Sequence, residues 1–296
     1  MPKTSMAAYQ RIYDLFEKLK KEYDTEVAFK DGFTALFVGF GNCKNKIHWL
    51  HYNYTIANPN AKYDGLFKEV LPKFNKIVAV SKGVMDDFNK IYHLEDITMV
   101  IGNYVDVDKI KKMAKGKKKN SKKLNFVSVG RLHPMKGYDR LLDAVIRLRN
   151  DNLLKDASFK IYGDGPLMDT LKKKIMDNKM NNYFELMGYT DNPYECINGA
   201  DMFILPSIFE PFGIVIVEAM TLGVPVLATS NSATGELINS GYNGLVVDNS
   251  NEGLYEGLKK VITDRSLIDK FKDNLIKYDY DKENDKILKQ LYKLFR

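Results

Sequence analysis

Cysteine is nearly absent from this chain: 296 residues contain two, Cys43 and Cys196, far apart and in no metal-ligand spacing. That excludes a disulfide scaffold and a cysteine-based zinc site, and it fits a reducing compartment. Long hydrophobic runs are missing too. No uncharged apolar stretch reaches the roughly 18 residues of a membrane-spanning helix, and the richest, Met202 to Met220, is broken by Glu210 and Glu218. The amino terminus, MPKTSMAAYQRIYDLFEKLKKEYD, lacks the apolar centre of a signal peptide. A cytoplasmic chain is the expectation. There is no P-loop and no glycine-x-serine-x-glycine elbow, and no internal repeat at a fixed period.

What is present is the balance of a soluble globular protein, 45% hydrophobic and 28% charged residues, with length for two domains and a proper core. The net charge of +7 is concentrated in KKMAKGKKKNSKK, where Lys111 to Lys123 contribute eight lysines. A solvated linker is one reading, and attraction to anionic lipid at the inner face of the plasma membrane is another. Nucleic acid is not expected, because no recognisable binding module accompanies the lysines.

From Leu124 onward short Val-, Ile- and Phe-rich runs alternate with segments of helical period. The runs are LNFVSV (124–129), SFKIY (158–162), YFELM (183–187), DMFILP (201–206), PVLAT (225–229) and GLVV (244–247). YDRLLDAVIRLR and FGIVIVEAMTLG lie between them. Strands this short and apolar are buried on both faces, so the pattern implies a parallel, doubly wound α/β sheet. Ligands in such sheets bind beyond the carboxyl ends of the strands. Before Lys111 a helix is expected at Met6–Lys21, strands at Glu26–Phe29, Lys46–Leu50, Lys76–Val80 and Ile97–Ile101, and a helix at Val84–Ile91. The expected domains are 1–108, a lysine-rich linker at 109–123, 124–275, and a carboxyl-terminal helix at 276–296.

Four loops can carry chemistry. In VSVGRLHPMKG (127–137), Gly130 permits a tight turn, and Arg131 and Lys136 precede a helix starting near Tyr138. Two cations at a strand end beside a helix amino terminus suit a diphosphate, or are ordinary surface residues. In YGDGPL (162–167), Gly163 and Gly165 let backbone approach a ligand and Pro166 suits a first helical turn, or the motif is a bare turn and cap. In PSIFEPFGIVIVEAMTLGVPVLAT (206–229), seven residues separate Glu210 from Glu218. Gly213 marks a helix start, so the amides of Gly213, Ile214 and Val215 are unpaired first-turn donors. Glu218 lies more than a turn inside that apolar helix and needs a bonding partner, which ribose hydroxyls, an internal hydrogen bond or an exposed helix face can provide. In HWLHYNYTIANPN (48–60), His48 and His51 are two of the four histidines, and His51 is a candidate for function as well as for structure. Asp106–Val107–Asp108 and Asp279–Tyr280–Asp281 match a metal-binding aspartate pattern by chance, so no catalytic metal and no other cofactor is expected.

Taken in order, VSVGRLHPMKG, YGDGPL, DNPYECINGADMFILPS, EPFGIVIVE and AMTLGVPVLAT resemble the retaining glycosyltransferases of family four, the glycosyl transferases group 1. These adopt the GT-B fold of two Rossmann-like domains facing across a cleft. KIVAVSKGVMDDF and KIHWLHYNY look like amino-domain elements of the bacterial surface-polysaccharide enzymes. The resemblance implies that Arg131 and Lys136 hold the donor diphosphate, Glu210 the donor sugar and Glu218 the nucleotide ribose. It also implies that Gly213–Val215 offer amides to phosphate or sugar. Gly188, Tyr189 and Thr190 would offer backbone to the base, and His51 would lie near the donor sugar.

The implied reaction is hexosyl transfer from a nucleoside-diphosphate sugar to a glycan or lipid-linked acceptor, with retention and without metal. The amino-terminal domain is expected to be shortened, with some 105 residues before the hinge where ~150 suit a complete half. A donor-binding subunit with little transfer activity, and a nucleotide-sugar epimerase or phosphorylase of similar architecture, are the competing readings.

Overall fold

The computed structural model describes residues 11–13, 23–55, 64–115, 123–231 and 233–296. The chain divides into two compact units, Met1–Asn103 with Lys286–Arg296, and Tyr104–Asp285. In the amino unit, strands β1 (Glu26–Ala28), β2 (Lys46–Leu50), β3 (Lys76–Ala79) and β4 (Thr98–Val100) form one parallel sheet in chain order. Helices α1 (Phe33–Phe40), α2 (Asp64–Val70) and α3 (Lys82–Tyr92) connect them. β2 is buried at every position and includes His48. Ser81 starts α3 by accepting a hydrogen bond from the Val84 amide, the usual service of an N-cap serine.

The carboxyl unit opens with α4 (Val107–Met113) and then alternates strand and helix. The series is β5 (Leu124–Val129), α5 (Tyr138–Asn150), β6 (Ala157–Tyr162), α6 (Met168–Asp177), β7 (Phe184–Gly188), α7 (Pro193–Asn198) and β8 (Met202–Leu205). It continues with α8 (Ile214–Thr221), β9 (Val226–Thr229), α9 (Thr234–Leu237), β10 (Gly244–Val247), α10 (Asn251–Thr263), α11 (Ser266–Leu275) and α12 (Asp281–Leu294), whose residues from Lys286 onward belong to the amino unit. All six strands are parallel, in the order β10-β9-β8-β5-β6-β7. Successive side chains of a strand point to opposite faces, and both faces are covered here. Phe126 joins a core with Leu141, Leu142, Leu258 and Phe271, while Val127 joins a second core with Phe203, Ile216 and Val226. Phe126, Phe159 and Phe184 stack across three strands at centroid distances of 4.8 and 6.2 Å. Truncating Phe159 to alanine should cost about 3–5 kcal/mol.

The architecture is the doubly wound α/β type expected from strand–helix alternation, with every expected strand found to within a residue or two at its ends. Three details differ, and a fourth is mostly out of view. The expected Met6–Lys21 helix lies outside the described residues except at 11–13, which are helical. Helix α1, FTALFVGF, is apolar all round and follows Gly32 without a side-chain cap, so it shows neither an amphipathic period nor a start signal. Pro166 precedes α6, which starts at Met168, and so is not in its first turn. The lysine-rich segment begins in helix: Lys109–Met113 belong to α4, whose first turn Asp106 caps through the Lys109 amide. Among the described residues no helix is long and apolar enough to cross a membrane.

Candidate active site

The strand order puts the reversal of the sheet at β5. Its neighbours are β6 and β8, so the crossovers that follow β5 and β8 leave this point in opposite directions, the place where open α/β sheets bind ligands. Those loops are 130–137 after β5 and 206–213 after β8. They are tied together by backbone: the Ile208 amide donates to Met135 O at 2.9 Å. Gly137 stands at φ +69°, and a Cβ on it would lie 2.0 Å from Pro206 O. That carbonyl also accepts a 2.9 Å bond from Arg140 Nη2, and Arg140 binds Asn249 of the β10–α10 loop through the same nitrogen at 3.0 Å.

This closure brings Lys136 to Glu210. The Lys136 Nζ lies 2.7 Å from Glu210 Oε2, with the ammonium part-exposed and the carboxylate largely buried. Ser207 Oγ donates to the same oxygen at 3.4 Å. The family resemblance implies separate contacts, Lys136 with a phosphate and Glu210 with a sugar; in the structure the two form one charge pair. Arg131, on the first of these loops, is exposed and has no ion-pair partner among the described residues. Gly213, at φ +83° and ψ 51°, is the N-cap of α8. The Ile216 amide bonds back to Gly213 O at 2.8 Å. The amides of Gly213, Ile214 and Val215 have no acceptor among the described residues, so the first-turn donors of this helix start are unpaired.

Gly163 and Gly165 serve the loops first. A Cβ on Gly163 would lie 2.0 Å from Gly130 O, and one on Gly165 2.6 Å from Leu132 O. The Gly130 amide donates to Tyr162 O at 2.9 Å, the Leu132 amide to Asp164 O at 2.9 Å, and the Gly163 amide to Gly188 O at 2.8 Å. These glycines therefore allow three loops to stack backbone on backbone. Gly188 turns at φ +76° with open space around it, Tyr189 is exposed, and Thr190 Oγ1 accepts from the Asn192 amide at 3.2 Å.

Glu218 finds an internal partner: the Tyr194 hydroxyl donates to Oε1 at 3.2 Å. Burial pushes the Glu218 carboxyl above the ordinary range and the Tyr194 bond draws it back. The two aspartate pairs have local work. Asp106 caps α4, Asp279 accepts from the Asp281 amide, and Asp281 accepts from Asn284 Nδ2. Among the described residues no group of three or more His, Cys, Asp or Glu could hold a metal ion.

In the amino unit His51 follows β2, with its ring 4.9 Å from that of Phe29. Its Nε2 is buried without a hydrogen-bond partner among the described residues. Burial lowers its pKa, against an opposing pull from Asp31. A buried cluster beside it escaped sequence reasoning. His48 Nε2 lies 3.1 Å from Asp31 Oδ1 and its Nδ1 3.1 Å from Ala28 O, while the Tyr54 hydroxyl donates to the same Asp31 oxygen. A lone aspartate in the β1–α1 loop carried no pattern that could have announced it.

The sequence pattern of the family described as glycosyl transferases group 1 matches residues 109–281. The chain belongs to this family. An uncharacterized glycosyltransferase of Methanocaldococcus jannaschii is 30% identical over 205 residues, which are 68% of this chain and 53% of the relative. The UDP-Gal:alpha-D-GlcNAc-diphosphoundecaprenol alpha-1,3-galactosyltransferase of Escherichia coli is 29% identical over 179 residues, 57% of this chain and 46% of the relative. Among solved structures, a mutant of S. aureus TarM in complex with Fondaparinux, alpha-GlcNAc-glycerol and UDP superposes with a TM-score of 0.76 at 22% identity. That match covers 98% of this chain and 59% of TarM. The fold is GT-B-like, an α/β fold with two parallel sheets. The chain spans about half the length of the curated relatives it matches.

Proposed function

We propose that this member of the group 1 family is a hexosyltransferase. It moves a sugar from a nucleoside-diphosphate sugar to a glycan or lipid-linked acceptor in cell-surface polysaccharide synthesis, with retention and without metal. The observation that carries the reading is the Lys136–Glu210 pair at the reversal of the six-stranded sheet, beside the unpaired first-turn amides of α8. When the bond from sugar to diphosphate breaks, negative charge gathers on the leaving oxygen and positive charge on the ring. Lys136, Arg131 and the amides of Gly213, Ile214 and Val215 face the first change, and the Glu210 carboxylate suits the hydroxyls of the sugar. Fixed donors of this kind are each worth on the order of 10²–10³ in rate. Glu218 takes the ribose, Gly188–Thr190 the base, and His51 acts near the donor sugar.

A UDP donor is supported by the names of the Escherichia coli and TarM relatives, and a lipid-linked acceptor by the first of them. Retention rests on the family resemblance. The lysine-rich segment, with Lys111 and Lys112 on the last turn of α4, would draw the protein to the anionic inner face of the plasma membrane, at about 1 kcal/mol per lysine near the surface. The test is hydrolysis or transfer from UDP-sugars by the full chain, with and without EDTA. Turnover is expected and should survive chelation, because the cations at the diphosphate are side chains. Abolition by EDTA with rescue by magnesium or manganese would refute the metal-free reading.

A further inference from the structure

Tyr194 reaches Glu218 from a helix too short to be stable alone. Helix α7 has six residues, and it is held at both ends by the carboxyl end of α4. Asn192 Nδ2 donates to Met113 O at 2.9 Å, and Asn198 Nδ2 to Ala114 O at 3.1 Å. The last carbonyls of a helix lack intrahelical donors, so each asparagine satisfies α4 while pinning α7. Ile197 anchors the same helix in the core. The phenol is thereby fixed 3.2 Å from Glu218 Oε1. We propose that Tyr194 is a positioning residue for Glu218: it holds one carboxylate oxygen so that the other is presented to a ribose hydroxyl. The inference rests on the nucleotide reading of this site and adds to it a residue that does not itself touch the ligand.

The charges around the pair leave Tyr194 in control. The elements packed on α8 bring Asp106, Asp108, Lys109, Lys111 and Lys112 at α4, Glu195 on α7 and Glu236 on α9. Among the described residues none of these forms an ion pair with Glu218. Asp106 acts instead on Tyr194, whose phenol is pushed up first by burial and then by Glu218, and so stays a donor across the neutral range. An ionised Glu218 accepts from Tyr194 and ribose together, whereas a protonated one loses acceptor capacity. Without the phenol, burial acts unopposed on the carboxyl, which then takes up its proton at a higher pH.

The test is calorimetric titration of the full chain with UDP between acid and neutral pH. Tyr194→Phe should weaken UDP roughly tenfold at neutral pH, the scale of one hydrogen bond to a charged group, and shift the acid-side fall in affinity upward. Its melting temperature should hold to within a few degrees. In a Glu218→Gln background the same change should cost less than about twofold, since the coupling between contacting residues is lost. Should Tyr194→Phe fold poorly, Asn192→Ala, which loosens α7, is expected to move the pH profile the same way. Unchanged affinity and pH profile in Tyr194→Phe, or an equal cost in both backgrounds, would overturn the inference while leaving the nucleotide site intact. Failure of the unaltered chain to bind UDP at any pH would overturn the nucleotide reading itself, and this inference with it.

Discussion

In the amino unit β1 to β4 lie side by side in chain order, whereas in the carboxyl unit β5 has β6 on one flank and β8 on the other. Sequential order makes every connection step the same way, so neighbouring loops cover one another. Reversal sends the crossovers after β5 and β8 in opposite directions, and polar groups on the two loops can converge there without being buried by the next crossover. The candidate residues follow this difference. Lys136, Glu210 and the α8 amides meet at the reversal. In the amino unit His48 and Tyr54 both bond to Asp31. His51 stands apart against Phe29 with an unsatisfied nitrogen.

If the reversal is the centre of the chemistry, the largest effects belong there. Lys136→Ala and Arg131→Ala should each lower turnover on a UDP-sugar by on the order of 10²–10³ at saturating donor. Lys136→Ala also strands Glu210, so the Lys136→Ala/Glu210→Ala double variant should lose less than the product of the two single losses, as expected for residues in contact. Steady-state kinetics on these variants and the unaltered chain decides this. A greater loss from His51→Ala than from Lys136→Ala would invert the comparison and move the centre to the amino unit.

Stability offers the next contrast. Gly137 and Gly32 both have positive φ, +69° and +83°, but a Cβ at Gly137 would meet Pro206 O at 2.0 Å and one at Gly32 would meet nothing within 4 Å. Gly32→Ala should therefore cost only the backbone penalty, about 1–2 kcal/mol. Gly137→Ala must also push the β5 and β8 loops apart and should cost about 3 kcal/mol or more. Thermal melts of the two variants measure the difference. Equal losses would mean that the two loops yield freely and are not the rigid frame that holds Lys136 against Glu210.

The strands of the carboxyl unit were legible because each is a short β-branched or aromatic run bounded by turn residues, and the start of α8 because Gly213 interrupts an apolar series. The order of those strands was not. Nothing local in LNFVSV or DMFILP says that β5 pairs with β8, and on that pairing depends the contact between Lys136 and Glu210, 74 residues apart. The partner of Glu218 was hidden for the same reason, since Tyr194 arrives from a different helix. The glycines of YGDGPL announce the space they leave, but which neighbour fills that space is a tertiary fact. In the amino unit α1 is not legible in the sequence, because a helix apolar on all sides has no period to find.

The smallest effect concerns His51 and probes whether its setting differs in kind from that of the charged pair in the carboxyl unit. Burial lowers its pKa, with Asp31 opposing only in part, so the folded chain resists protonating a ring that the unfolded chain protonates near 6.5. A depressed folded value means that the histidine's contribution is fully present above about 6.5 and is lost as the pH falls through the lower folded value. The ring is only half-buried, so solvent screening holds the amount to less than about 1 kcal/mol. His51→Gln keeps a polar side chain without a titrating ring. Between neutral and mildly acid pH its urea midpoint should fall less than that of the unaltered chain, with the other histidines common to both. An identical fall in the two proteins would show that His51 takes up its proton in the folded state as easily as in water. The amino unit would then hold its candidate residue in an ordinary solvated setting, and the contrast between the two units would rest on charge pairing alone.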